Sequence, residues 1–196
     1  KYQLATCNGS IVRSFNYGIS GSWSESNAFG STDSAVSSDG KYQILAEMDG
    51  PIRVSSDYGI TWTTSTSAGE NAWSAVSISA NGKYQTAVVG SATDWDYIYI
   101  SSDYGNTWSA KGKSTRWSDV AMSSDGKYQS AVELQSGYIF SSIDHGNTWA
   151  TNTATGIKNW TSIAISSDGQ FQSATALNDY IYISGSNLYN FNKIGI

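Results

Sequence analysis

Three segments of the chain alternate between apolar side chains and small or polar ones, and each begins at a tryptophan. They are residues 73–79, 117–123 and 160–166. Alternation with a period of two residues is typical of a β-strand with one buried face. The fourth residue after the tryptophan is small in each segment, which indicates that these strands converge where space is limited.

A recurring aromatic signature divides the chain into repeats. Lys-Tyr-Gln occurs four times and Gln-Phe-Gln once, and the aromatic residues follow one another at intervals of 40 to 44 residues, at Tyr2, Tyr42, Tyr84, Tyr128 and Phe171. An Asp-Gly or Asn-Gly pair, typical of tight β-hairpins, precedes the last four copies. A repeat of this length is typical of one supersecondary unit that stacks on its neighbours.

Four strands are predicted in each repeat, the first led by the tryptophan and the second by the aromatic signature. The predicted third strands are 97–100, 138–140 and 180–183, and the predicted fourth strands bear Trp62, Trp108 and Trp149. Four antiparallel strands in about 42 residues are the signature of one blade of a β-propeller. An open sandwich of hairpins is the alternative, but it does not explain so even a repeat.

The two ends of the chain complement one another in this scheme. Phe191 and the residues after it align with the first strand that Trp160 leads, whereas Lys1 begins at a second strand. We therefore predict an all-β protein, a five-bladed β-propeller of four-stranded antiparallel blades. Residues 1–196 would form a single domain, closed by pairing of the N- and C-terminal strands in a shared fifth blade that leaves no open edge.

Composition and charge limit the possible partners. Only 14% of the residues are charged and the formal net charge is −5, whereas a nucleic-acid surface needs clustered Lys and Arg. No apolar run approaches the roughly 20 residues of a membrane-spanning helix, so no membrane insertion is expected. With one cysteine and one histidine we predict no disulfide framework, no cofactor and no metal. We expect an extracellular location, or one on a virion or cell surface.

A second motif, Ser-x-Asp-x-Gly-x-Thr-Trp, recurs between the third and fourth predicted strands. It is complete at residues 55–62, 101–108 and 142–149, which we call the Asp hairpins. Serine and aspartate can bond local backbone N–H groups there, and glycine permits a positive φ. The motif resembles the Asp-box of sialidase-like (BNR) propellers, a group that includes glycosidases, lectins, sorting receptors and photosystem assembly factors. The resemblance implies a structural role, opposite the functional face, for Asp57, Gly59, Trp62, Asp103, Gly105, Trp108, Asp144, Gly146 and Trp149.

The loops at the opposite face are the predicted ligand-binding region, because variable loops on a rigid scaffold commonly carry binding. The candidate contacts are Trp73, Trp117, Trp160, Arg116, Asp33, Asp119, Asn159, Glu47 and Glu133. The three tryptophans could stack on the C–H surface of a sugar or only pack between blades, and their repetition fits both. Trp95 interrupts the repeat in an acidic loop, where an exposed ring favours contact with a ligand.

Three functions remain open at this point. The first is a non-enzymatic, lectin-like module that binds a glycan or glycoconjugate, and the second is a scaffold that binds a protein partner. The third is a sialidase-like glycoside hydrolase, for which the resemblance would demand an arginine triad, a Tyr–Glu nucleophile pair and a general acid. Arg13 and Arg53 fall in third strands and cannot converge with Arg116. Near-equal pockets in several blades would favour the lectin, and a single asymmetric patch the scaffold.

Overall fold

The structure, a computed structural model, describes residues 2–7, 9–91, 95–185 and 191–194, without the side chains of residues 7, 9 and 26–28. Over these residues it has eighteen β-strands, and it has no helix long and apolar enough to cross a membrane. The strands are β1 Gln3–Cys7, β2 Gly9–Ser14, β3 Trp23–Val36, β4 Gln43–Glu47, β5 Gly50–Ser55, β6 Thr63–Asn71, β7 Trp73–Ile78, β8 Gln85–Val89, β9 Asp96–Ser101, β10 Ser109–Thr115, β11 Trp117–Met122, β12 Gln129–Glu133, β13 Ile139–Ser142, β14 Ala150–Asn152, β15 Trp160–Ile165, β16 Gln172–Ala176, β17 Ile181–Ser184 and β18 Phe191–Ile194.

The strands form five repeat units of antiparallel sheet. Units 3, 4 and 5 are separate four-stranded sheets, β7–β10, β11–β14 and β15–β18. Units 1 and 2 share one six-stranded sheet because β3 is continuous: its first half pairs with β2 and its second half with β4. The prediction of an all-β chain with five repeat units is confirmed. The predicted hairpin tryptophans, however, stand one residue before β6, β10 and β14 rather than within them.

The hydrophobic core lies between neighbouring units rather than inside any one of them. One cluster joins Ile44 and Ile52 of unit 2 to Trp73 and Val89 of unit 3, and two similar clusters join units 3 to 4 and 4 to 5. Every residue of β4, β8 and β12 is buried, since a sheet stacks on each side of these strands. The alternating sequence thus folds as stacked sheets whose stability depends on adjacent units.

The predicted role of the C-terminal strand is wrong in the described residues. β18 is the outer, fourth strand of unit 5, where Phe191 pairs with Ser184 of β17. It is not the inner strand of unit 1. Phe191 follows Ser184 by seven residues, the same distance that separates Trp62 from Ser55. The chain therefore repeats its usual third-to-fourth connection here, and β17 gains a partner along its outer edge.

The inner edge of unit 1 has no partner strand among the described residues. β1 pairs with β2, and no other described strand pairs with it. Leu4, Ala5 and Thr6 are half-buried, in contrast to the fully buried second strands of units 2, 3 and 4. The predicted pairing of terminal strands is thus not present in this part of the chain, and Lys1, Gly195 and Ile196 lie outside the described residues.

The Asp hairpins are held by side-chain bonds to their own backbone. In the first hairpin, Ser55 Oγ accepts a bond from Gly59 N at 2.9 Å, and Asp57 accepts bonds from Thr61 N at 2.9 Å and Thr61 Oγ1 at 2.6 Å. The other two hairpins repeat this pattern. Tyr58, at φ 65°, and the glycine after it both have positive φ, which the bonds stabilise. The geometry fits the structural role that the resemblance implies.

We expect the folded state to lose stability below about pH 4 because these aspartates are more acidic in the fold. Partial burial acts to raise the pKa of Asp103, but hydrogen bonds from Thr107 and Ser101 outweigh it and lower the pKa below its usual 3.8. The pKa values of Asp57 and Asp144 are lowered in the same way. A carboxylate with a lowered folded-state pKa contributes stability above its unfolded pKa and loses it as the pH falls through the folded value.

Urea unfolding between neutral pH and about pH 2 measures this dependence. The midpoint should fall below about pH 4 for the natural chain, and less steeply for Asp103→Asn, whose amide does not titrate. Identical pH profiles for the two proteins would contradict the assignment.

Candidate functional site

The connectivity of the strands separates two faces. The turns between first and second strands of units 2 to 5 and the Asp hairpins of units 2 to 4 lie at the same end of their units, which we call the hairpin face. Connections between second and third strands, and between successive units, lie at the other end, which we call the loop face. The predicted ligand-binding residues belong to the loop face or to the strands beneath it.

The strand-leading tryptophans Trp73, Trp117 and Trp160 are buried, with 2%, 0% and 1% of their surface exposed. Each ring packs edge-on against an aromatic residue of its own unit, 5.2 Å away between centroids. The indole N–H groups donate to backbone oxygens of the preceding unit at 2.9–3.0 Å, namely those of Gly50, Asp96 and Gly137. These rings therefore take the second role left open above, packing between blades, and present no face on which a sugar could stack.

Asp33 and Asp119 bind backbone N–H groups at irregularities of the inner strands. The strand register shifts at the position of Asp119 in unit 4 and at the matching position in units 2, 3 and 5. Asp119 Oδ1 accepts a bond from Val120 N at 2.8 Å, and its Oδ2 accepts one from Ile163 N of the next unit at 2.9 Å. Asp33 likewise accepts bonds from Ser34 N and, in the next unit, from Val76 N, both at 2.8 Å.

Each of the two carboxylates therefore accepts a backbone N–H at the β-bulge of its own unit and another at the β-bulge of the next unit. This explains why the two aspartates occur in alternate units. The matching positions of units 3 and 5 hold Ala75 and Ser162, which need no carboxylate because the preceding unit supplies one. Burial raises the pKa of Asp33 above its usual 3.8, against the effect of its two backbone bonds, and the charge of Asp119 raises it further. Asp119 is committed to the backbone and is left out of the proposed site.

Glu47 and Glu133 are buried and paired with cations, Glu47 within unit 2 and Glu133 with a lysine of the preceding unit. Glu47 bonds the guanidinium of Arg53, and Glu133 Oε1 lies 2.9 Å from Lys113 Nζ. Glu133 Oε2 also accepts a bond from Tyr138 N at 2.7 Å. Arg53 is therefore engaged by a carboxylate of its own unit.

Three of the predicted residues meet in a cleft on the loop face. Trp95, which is 64% exposed, lines it together with Arg116 and Glu133, and the turn after β12 contributes Gln135 and Tyr138. We call this site the loop cleft. The indole N–H of Trp117 anchors the loop that carries Trp95 by donating to the carbonyl of Asp96 at 3.0 Å.

The turn beside the loop cleft is held in a defined shape. Gln135 and Ser136 both have positive φ, and Ser136 N donates to Asn159 Oδ1 at 2.8 Å. Asn159 thus positions the turn from the next unit. Beyond it the cleft continues into a more apolar groove lined by Leu134, Thr161 and the exposed Leu177.

Asp96, the first residue of β9, is held by a tyrosine of the same strand. Tyr99 Oη donates to both carboxylate oxygens of Asp96 at 3.0–3.1 Å, and the N–H of Tyr97 donates to Asp96 Oδ1 at 2.7 Å. Burial, with the charge and hydrogen bond of Asp96, raises the pKa of Tyr99 to about 12. The phenol therefore stays protonated and keeps the carboxylate in place at neutral pH.

Two pockets on the hairpin face were missed in the sequence. They lie between units 2 and 3 and between units 3 and 4, with volumes of about 210 and 340 Å³. In the first, the ring of Tyr42 lies 4.7 Å from that of Tyr104, and in the second Tyr84 stacks on His145 at 4.1 Å. The lone histidine thus has a stacking role between units. The available signal was the residue that follows the first serine of each hairpin, which is a serine in units 2 and 3 and Phe15 or Ile143 in units 1 and 4.

The fold is that of a β-propeller, as comparison with solved structures shows. The chain superimposes on an ancestral GH74 enzyme with a TM-score of 0.72 and 15% identity, covering 97% of this chain and 29% of that one. For the GH74 xyloglucanase from Xanthomonas campestris the values are 0.70, 18%, 98% and 36%. For YCF48 bound to D1 peptide they are 0.69, 14%, 96% and 63%.

The chain therefore spans between 29% and 63% of the length of these structures, and at such identities the likeness concerns the fold. No protein-family model matches the chain, and no curated protein matches it in sequence.

Proposed function

We propose that the chain is a non-enzymatic, lectin-like module that binds a glycan at the loop cleft. The observation that carries this proposal is the exposed ring of Trp95 beside the polar side chains of Arg116 and Gln135. A large aromatic ring in solvent favours a partner outside the domain. We place the module outside the cell, or on a virion or cell surface, where it meets glycoconjugates.

The chemistry of the loop cleft suits a sugar. The face of Trp95 can cover the apolar C–H side of a pyranose ring, while guanidinium, amide and phenol groups bond its hydroxyls. Glu133 is fixed by Lys113 and Tyr138 N, so it offers an oriented charge at the base of the cleft. The similarity to a xyloglucanase supports a glycan as the ligand class.

The described residues that line the cleft do not include the pair of carboxylates that glycoside hydrolysis normally uses. Among the described residues that line it, Glu133 is the one acidic side chain, and it is ion-paired. Both retaining and inverting glycosidases normally place two carboxyl groups across the scissile bond. We therefore propose binding without turnover.

A protein-binding scaffold is the second candidate. The pockets of the loop face are unequal: the loop cleft runs into the apolar groove of Leu134 and Leu177, whereas the pocket in unit 2 is lined by Asp49 and Glu70. A single asymmetric patch favours a polypeptide partner. YCF48, which is similar in fold, was solved with a bound peptide.

Replacement of Trp95 tests the first proposal. On a glycan array, Trp95→Ala should lose at least tenfold in signal for any glycan that the natural chain binds, because the stacking surface is removed. Ile157→Ala is the matched control, since Ile157 is an exposed apolar residue outside the cleft. Both exposed substitutions should change the free energy of unfolding by less than about 0.5 kcal/mol.

The outcomes separate the candidates. Unchanged binding by Trp95→Ala would overturn the loop cleft as the glycan site. No glycan binding by the natural chain, together with capture of a peptide that Leu177→Ala fails to capture, would support the scaffold. Release of dye from a fluorogenic sialoside or xyloglucan oligosaccharide would overturn the non-enzymatic proposal.

A further inference from the structure

The two pockets of the hairpin face are copies of one another. Each lies between the second-strand tyrosine of one unit and the Asp hairpin of the next. The pocket between units 2 and 3 is lined by Tyr42, Ser56, Thr63, Tyr104 and Asn106, and the pocket between units 3 and 4 is lined by Tyr84, Ser102, Ser109, His145 and Asn147 at the matching positions. Two sites with matching lining residues thus occur in successive units on this face.

The residue between the serine and the aspartate of the hairpin opens each pocket. It is Ser56 in unit 2 and Ser102 in unit 3, both exposed and neither hydrogen-bonded to any described residue. In unit 1 the matching residue is Phe15, whose ring packs edge-on against Tyr2 at 5.7 Å. In unit 4 it is Ile143. Units 1 and 4 therefore carry a large side chain at the position where units 2 and 3 carry a serine, and unit 5 carries Gly185 there.

The walls of both pockets are already rigid. Tyr42 packs against Gly82 and Tyr84 against Gly126, where a side chain on the glycine would collide with the ring, so each tyrosine is fixed by the next unit. Asn106 and Asn147 donate their amide N–H groups to the carbonyls of Asp103 and Asp144 at 2.5 and 2.7 Å. Their side-chain oxygens keep one orientation. Preorganised groups of this kind lose little freedom on binding.

The chemistry common to the two pockets is aromatic and polar, and no carboxylate is among the described residues that line them. Both combine aromatic rings, serine or threonine hydroxyls and an asparagine oxygen. A lysine lies over the tyrosine ring of each: Lys83 Nζ is 5.2 Å from the centroid of Tyr84, and Lys41 Nζ is 5.1 Å from that of Tyr42. A neutral pyranose, with hydroxyls around an apolar ring face, matches both.

We propose that these two pockets are saccharide-binding sites, each taking one neutral sugar unit, so that the chain is bivalent on the hairpin face. Two linked weak sites bind a multivalent glycan surface more tightly than either site alone. This proposal concerns a different face from the loop cleft, and neither depends on the other.

A titration followed by ¹H–¹⁵N NMR tests the proposal. Labelled natural chain is titrated to tens of millimolar with methyl β-glucoside, methyl β-galactoside and methyl α-mannoside separately. For at least one of them, amide shifts should move in residues 55–62 and 101–108 and at His145. Ser102→Phe should weaken binding at least tenfold in the larger pocket and leave the smaller unchanged, and Ser56→Phe should do the reverse.

The matched control is Ile143→Phe, which enlarges a side chain where the place is already filled and should leave both affinities unchanged. Phe15 occupies the same hairpin position in unit 1, so the phenylalanine variants should fold. Ser102→Ile, which introduces the side chain that unit 4 carries at Ile143, is a second filling variant. Absence of hairpin-face shifts with all three glycosides would overturn the proposal, as would shifts that persist in the Ser56→Phe/Ser102→Phe double variant. If the hairpin-face shifts are absent but the amide of Trp95 still shifts, the proposal for the loop cleft remains supported.

Discussion

Trp117→Ala should lower the free energy of unfolding by about 3–5 kcal/mol, the usual loss for truncating a buried tryptophan. The ring is completely buried between units 3 and 4, where it packs with Ile98 and Phe140. Its removal leaves a cavity that two stacked sheets cannot easily collapse. It also deprives the carbonyl of Asp96 of its bond from the indole N–H. Urea unfolding followed by circular dichroism measures the loss.

Trp95→Ala serves as the control for this experiment, because it removes the same side chain from an exposed loop. Its unfolding midpoint should stay close to that of the natural chain. A loss below about 1 kcal/mol for Trp117→Ala would contradict the packing of this ring between blades.

Asp119→Ala should cost about 2–5 kcal/mol, since it removes three bonds to the carboxylate and leaves two inner-strand N–H groups without a partner. These N–H groups belong to Val120 and Ile163, on adjacent units, and the third donor is the hydroxyl of Ser162. The substitution therefore weakens the joint between units 4 and 5 as well as the bulge in unit 4. Asp119→Asn should lose less, because its amide oxygen can still accept a bond from one of the two N–H groups. Urea unfolding of the three proteins gives the order.

Ser118→Ala is the neighbouring control. Ser118 Oγ donates a single bond to the carbonyl of Thr161 at 3.1 Å in an exposed position, and its loss should cost no more than about 1 kcal/mol. Equal stabilities of Asp119→Ala and Ser118→Ala would show that the carboxylate does not hold the two bulges.

The repeating part of the fold could be predicted because local signals recur in it. Alternation from Trp73, Trp117 and Trp160 defines the inner strands, and the Asp-Gly turns define the hairpins that follow. Identical segments at regular intervals imply identical units. The C-terminal strand was assigned wrongly because Phe191–Ile194 alternates in a way that suits either an inner or an outer strand. Its distance from Ser184 decides between them, whereas the alternation does not.

The candidate site was less accessible from the sequence. Trp95 is exposed and Trp117 is buried. The exposure of Trp95 could be predicted because this residue interrupts the repeat. The structural role of Asp119 could not be predicted, because a β-bulge and its unpaired N–H can be located only when the strand register is known. The hairpin-face pockets also depend on packing between units. In a single repeat Ser102 is only a polar turn residue, and it becomes a pocket wall when His145 and Asn147 of the next unit are brought beside it.

The unbroken strand β3 makes the first joint of the array different from the later ones. Trp23–Val36 extends from the outer edge of unit 1 to the interior of unit 2, whereas residues 153–159 separate β14 from β15. Units 1 and 2 share the strand β3. Bending between these two units would therefore distort the hydrogen bonds that β3 makes with both β2 and β4. The longest connection between described units is the one before unit 5, where the turn beside the loop cleft is also bonded by Asn159.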